Sequence, residues 1–174
     1  MKMFFALIDR ISRLSGYLAA LLIVGIAVLI LVEIFCRSVF NLSLSFAWEY
    51  SAYFMGTAIF LAAAFTMRTG GHVRVSIVSS SVPPAVARVI ELIATIFGTG
   101  IAIYVAYALS AFAWQAFVSG NTSPTIDEIP LVYPRGAIAF GAVLLAIQMI
   151  ARSARALTGE ATEDEVARKT YGIG

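Results

Sequence analysis

Runs free of charged residues divide the chain into long apolar stretches. Residues 14–32 lie between Arg13 and Glu33, with apolar character continuing to Phe40, and residues 50–67 lie between Glu49 and Arg68. Residues 92–126 form the longest stretch, and residues 136–151 lie between Arg135 and Arg152. A helix needs about 20 mostly apolar residues to cross a hydrocarbon core about 30 Å thick, because it rises about 1.5 Å per residue. The pattern therefore predicts an all-α membrane protein with four transmembrane helices, at about residues 16–40, 46–67, 85–118 and 133–156. The last window is short, and Arg135 and Arg152 lengthen it by snorkelling to the interfaces.

The polar punctuation fits these spans. Asn41, Leu42, Ser43, Leu44 and Ser45 leave room only for a turn, so the first two helices form an antiparallel hairpin. Thr69-Gly70-Gly71 ends the second helix, and Pro83-Pro84 opens the third, where proline is tolerated in the first turn. Gly120 to Pro130, with Asn121, Ser123 and Pro124, is a polar loop before the fourth helix. The third helix would be about 50 Å long, so it must tilt, bend or protrude from the bilayer. Ahead of the first span, Phe4, Leu7, Ile8, Ile11 and Leu14 fall on one helical face, with Lys2, Asp9 and Arg13 elsewhere. That is the pattern of a short amphipathic helix lying in the interface, and the interrupting charges argue against a cleaved signal segment. Residues 1–157 thus read as a single four-helix membrane domain. Residues 158–174, with Glu160, Glu163, Asp164, Glu165, Arg168 and Lys169, read as a charged, solvated tail.

Composition sharpens the class. Of 174 residues, 60% are hydrophobic and 13% charged, against roughly 45–50% and a quarter in soluble domains. That excludes a soluble enzyme domain, a disordered chain and a nucleic-acid binder. The single cysteine, Cys36, excludes an intrachain disulfide or a CxxC pair, and the single histidine, His72, excludes a haem held between two histidines of this chain. Basic residues set the orientation. With the N-terminus inside, Lys2, Arg10, Arg13, Arg68, Arg74, Arg88, Arg152, Arg155, Arg168 and Lys169 face the cytoplasm. Only Arg37 and Arg135 face outward, accompanied by Asp127 and Glu128. The positive-inside rule therefore places both termini in the cytoplasm.

Few residues could carry chemistry. Glu33 and Arg37 are four apart with the acid first, the favourable order for a helical pair. The pair reads as an ion pair locking the first helix in preference to a coupling carboxylate, which needs an aqueous route and further polar ligands. Trp48 belongs to an interfacial aromatic belt, and Glu49 is favoured by the dipole near a helix N-terminus. Across the hairpin, Glu33, Arg37 and Glu49 could form one outer cluster. Arg68, His72 and Arg74 read as positive-inside decoration around the Gly70-Gly71 turn, and Glu91 pairs most simply with Arg88. Ala94, Gly98, Ala102, Ala106 and Ser110 recur every four positions on the third helix, with shorter versions at Ala52 and Gly56 and at Ala142 and Ala146. Such narrow faces let helices approach closely in lipid. No Walker loop, dinucleotide fingerprint, metal-ligand spacing or nucleophile–base pair is present.

Several segments, in order along the chain, carry a family resemblance. Glu33-Ile34-Phe35-Cys36-Arg37-Ser38-Val39-Phe40-Asn41 ends the first helix with an arginine followed by aromatic-Asn, and Phe46-Ala47-Trp48-Glu49-Tyr50 opens the second. A small-residue run from Gly56 through Ala64 leads to Arg68, Gly71 and His72-Val73-Arg74-Val75, and Ile129-Pro130-Leu131-Val132-Tyr133-Pro134 approaches the fourth helix. Together they resemble the small membrane subunit of TRAP transporters (tripartite ATP-independent periplasmic transporters), the DctQ-like family. Where that family often has Trp-Glu-Glu, this chain has Trp48-Glu49-Tyr50.

The resemblance implies a scaffold without enzymatic activity or cofactor, in the bacterial inner membrane. It packs against a large permease subunit that carries an organic acid inward with sodium, after delivery by a periplasmic binding protein. It also implies that Trp48, Glu49, Asp127 and Glu128 are candidates for meeting the binding protein. Two other classes compete: a stand-alone proton-coupled transporter using Glu33, and a membrane anchor of a redox complex whose ligands come mostly from another chain.

Overall fold

The computed structural model describes residues 2–68, 83–125 and 128–158. It contains helices α1 (Lys2–Phe40), α2 (Ser45–Arg68), α3 (Pro84–Ser119) and α4 (Val132–Thr158). All four are long and apolar enough to cross a membrane. The protein is a multi-pass membrane protein built from the helices that the apolar windows predict. His72, Arg74 and Asp127, the Gly70-Gly71 turn and the tail from residue 159 lie outside the described residues, as do the side chains of Arg68, Arg88 and Glu91.

The helix ends follow from local chemistry. Asn41 adopts a left-handed conformation (φ 53°) after α1, a position its short polar side chain tolerates. Leu42 then returns its N–H to the Cys36 carbonyl at 3.3 Å. Pro83 and Pro84 open α3, and Gly120 (φ 61°) closes it as a left-handed cap.

The beginning of α1 differs from expectation. The structure does not break between an interfacial segment and a span; one 39-residue helix runs from Lys2 to Phe40. No proline interrupts residues 12–16, and the Ser15 hydroxyl donates to the Ser12 carbonyl at 2.8 Å within the helical ladder. Gly16 sits at a close approach to α2, where a Cβ would lie 2.6 Å from Cγ of Phe65. Ile8, Ser12, Ser15 and Ala19 are buried, while Ile11 and Leu14 are exposed. A 39-residue helix is about 58 Å long, far beyond the hydrocarbon thickness.

The helices pack in the order α1–α2–α4–α3, with a small direct contact between α1 and α4. One cluster of buried residues joins α1, α2 and α4 through Ala19, Ala58, Leu61, Ala64 and Leu144. A second joins α3 to α4 through Ala102, Ala106, Ala142 and Ala146, with Phe60 of α2 packed against it. The small-residue stripe of α3 is thus used inside the chain: Ala102 and Ala106 meet the corresponding alanines of α4, and Gly98 lies under Met149. The central and outer helices differ sharply. In its most apolar stretch α4 is 39% buried and α1 only 6%. Large apolar side chains such as Leu21, Val24 and Leu31 on α1, and Phe97, Tyr104 and Tyr107 on α3, face outward.

Candidate functional site

Polar side chains gather at the two ends of the helix row. At the hairpin end, where α1 turns into α2, Glu33 lies one turn before Arg37 and receives its guanidinium at 2.5 Å. The same carboxylate accepts the Ser43 hydroxyl at 3.1 Å and the Leu44 backbone N–H at 2.6 Å. Arg37 also donates to Ser43 at 3.3 Å. Both Glu33 oxygens are therefore committed to fixing the turn that starts α2. Its geometry suits a lock, and its partners belong to a structural loop.

Glu49 does not join that cluster. Its side chain is buried and accepts hydrogen bonds from the hydroxyls of Tyr53, one turn along α2, and Thr125, in the α3–α4 loop. Ser123 and Thr125 share a further bond at 2.9 Å. Successive residues on a helix point about 100° apart, so the neighbouring Trp48 is directed away and stays 86% exposed. The expected trio therefore separates: Glu33 and Arg37 secure the α1–α2 turn, whereas Glu49 secures the α3–α4 loop. That loop is further ordered by Ser123 N–H to the Ile129 carbonyl (2.8 Å) and Leu131 N–H to the Asn121 carbonyl (3.0 Å). Glu128 is exposed beside it with φ 43°. Behind it, the Arg135 guanidinium lies 3.7 Å from the centre of the Phe112 ring.

The opposite end holds a polar network that the sequence reading did not single out. Gln148, 2% exposed on α4, donates to the Ser12 hydroxyl and, at 3.3 Å, to the Ile8 carbonyl. Ser15 reaches the Leu61 carbonyl of α2 at 3.2 Å. Arg155 pairs with Asp9 at 3.4 Å. On the other side of α4, Thr99 and Ser153 share a 2.7 Å bond. Arg152 and Arg155 are buried, so these cytoplasm-assigned arginines belong to the helix contacts as well as to the charge bias. The available signal was Gln148 itself, a lone amide inside an otherwise apolar window.

Among the described residues, no group of three His, Cys, Asp or Glu side chains could hold a metal ion. Buried polar side-chain atoms there have hydrogen-bond partners, with the exception of Ser51 Oγ. A groove of about 920 Å³ between α1 and α2 is apolar, walled by residues such as Leu22, Gly25 and Phe54. Chemically, the arrangement can tie helices and loops together.

A family model described as "Tripartite ATP-independent periplasmic transporters, DctQ component" matches residues 26–159. The chain belongs to the DctQ family. The match spans the hairpin, the Glu49–Thr125 contact, the α3–α4 seam and Gln148, and it begins after Asp9, Ser12 and Ser15. The protein is therefore a transporter component of the TRAP class, and its family is not an enzyme family. Families of this class work with a large permease and a substrate-binding protein as a tripartite system. A comparison with curated proteins gave no match.

Proposed function

We propose that this DctQ-family chain is a membrane scaffold, holding the static part of a large permease subunit in the bacterial inner membrane while carrying no solute ligand itself. The permease moves an organic acid inward with sodium, and a periplasmic binding protein delivers it. The observation that carries this reading is the engagement of the polar groups at the two ends of the helix row. Glu33, Glu49 and Gln148 are tied to turns, loops and neighbouring helices, whereas a carrier must free such groups to exchange ligands with solute. The exposed apolar flanks of α1 and α3 supply the surface for a partner in lipid. Positive-inside bias puts both termini in the cytoplasm. The hairpin end, with Trp48, Glu49 and Glu128, then faces the periplasm.

Co-purification and reconstitution test the proposal. The chain should isolate with a large permease, and proteoliposomes holding it alone should show no saturable solute uptake. Uptake should appear only when permease and binding protein are added, and Glu33→Gln should leave the substrate KM of that assembly unchanged. Saturable uptake by the chain alone, abolished by Glu33→Gln, would establish the stand-alone carrier instead.

A further inference from the structure

A second groove, about 710 Å³, opens between α1 and α2 on the face bearing Trp48. Its polarity changes along its length. Towards the middle of the helices it is walled by Ile26, Ile30 and Met55, and at the hairpin end by Arg37, Ser43 and Trp48. From Ile26 to Arg37, α1 rises about 16 Å, close to half the hydrocarbon thickness of about 30 Å. A rim of hydroxyls and an exposed guanidinium, itself paired with Glu33, over one leaflet's depth of aliphatic wall matches the polarity order of a phospholipid.

We infer that this groove binds one phospholipid, its phosphate on Arg37 and one acyl chain along Ile26 and Ile30. Arg37 has the capacity. Only its Nη2 atom is engaged, by Glu33 and Ser43, and its side chain is 66% exposed. A guanidinium carries five donors, and arginine–phosphate contacts are charge-assisted and frequently bidentate. Glu33, with side-chain exposure of 15%, holds the guanidinium at the rim. The exposed Trp48 indole suits the ester level of a bilayer, where amphipathic rings collect. One turn deeper, Ser51 lines the groove. A protein helix laid in the same groove, its backbone groups already paired, would cover the remaining guanidinium N–H donors without offering acceptors; a lipid phosphate supplies them. The inference stands independently of the scaffold reading.

Native mass spectrometry of the full chain released from micelles tests it, with 1-palmitoyl-2-oleoyl-phosphatidylglycerol as the probe. Wild type should retain one lipid, Arg37→Lys should retain it to a similar extent, and Arg37→Gln should weaken binding about tenfold, the scale of one charge-assisted contact. Ala52→Trp, which fills the groove without touching the turn, should weaken binding comparably. Inorganic phosphate should not compete, and diacylglycerol, lacking the phosphate, should bind more weakly than the probe. Equal binding by Arg37→Gln and Ala52→Trp would overturn the assignment, as would competition by inorganic phosphate. A photo-crosslinker at position 52 that captures permease in the assembled transporter would also overturn it, by giving the groove to a protein helix.

Discussion

The contact between α2 and α4 at Gly141 supplies the sharpest test. A methyl group added at Gly141 would lie 2.9 Å from Cβ of Phe60, 3.2 Å from the Leu61 backbone nitrogen and 3.4 Å from the Phe60 carbonyl carbon. None of these atoms can swing aside, so α4 must back away from α2 and loosen Leu61 and Leu144 beneath. Overpacking of this kind costs about 1–3 kcal/mol. Alanine for glycine in a helix returns up to about 1 kcal/mol. The net for Gly141→Ala is therefore about 0–2 kcal/mol of destabilisation. Two glycines of α3 calibrate it. Gly100 has nothing within 4 Å of an added Cβ, so Gly100→Ala should stabilise. Gly98 faces only the terminal methyl of Met149 at 2.8 Å, a flexible end that can move, so Gly98→Ala should fall near zero. Reversible SDS unfolding of the full chain in mixed micelles, followed by helical circular dichroism, ranks the three. If Gly141→Ala resists SDS as well as Gly100→Ala, α2 and α4 do not approach as described.

The remaining expectations concern the polar ties. In a double-mutant cycle, Gln148→Leu and Ser12→Ala should couple by at least about 0.5 kcal/mol, since side-chain hydrogen bonds between membrane helices average about 0.6 and reach about 1.7; strict additivity in SDS unfolding would disprove the contact. Glu33→Gln removes the Arg37 ion pair, which is exposed on the arginine side and worth under about 1 kcal/mol, but keeps an acceptor for Leu44. Glu33→Ala loses both and should cost about 1–2 kcal/mol more, so equal stabilities would show that Glu33 does not hold the turn. Glu49→Ala should accelerate hydrogen exchange at the Ser123 and Leu131 amides by tenfold or more, at about 1.4 kcal/mol per decade; unchanged protection would mean the α3–α4 loop does not depend on Glu49.

What the sequence made legible was whatever depends on length and hydropathy. The four spans, the short α1–α2 turn and the proline start of α3 came from windows that the bilayer thickness makes nearly obligatory. What escaped was direction around each helix. In lipid the burial rule of soluble proteins loses its force, because outward positions are apolar as well and small or polar residues sit in the helix contacts. The face through Ile11 and Leu14 reads as turned to the interface, and those residues are exposed; the pattern did not announce that Ser12 and Ser15 beside it are buried. The alanine stripe of α3 announced close packing without naming its partner, which is α4. Glu49 had a sufficient local explanation in the helix dipole, while its bond to Thr125 spans 76 residues and leaves no periodic trace.

These misses share one physical cause, and it bears on function. Local pattern shows which segments enter a membrane, but the bonds that hold them in register are long-range and polar. Here such bonds sit at both ends of the row: Glu33 and Glu49 at the hairpin end, Ser12, Gln148 and the Asp9–Arg155 pair at the other. Tying the ends leaves the long middles of α1 and α3 with their apolar side chains outward. A body fixed at both ends and apolar along its flanks resists relative sliding of its helices, while its flanks still pack against lipid or a neighbouring subunit. That is the mechanical requirement for the stationary part of a moving carrier.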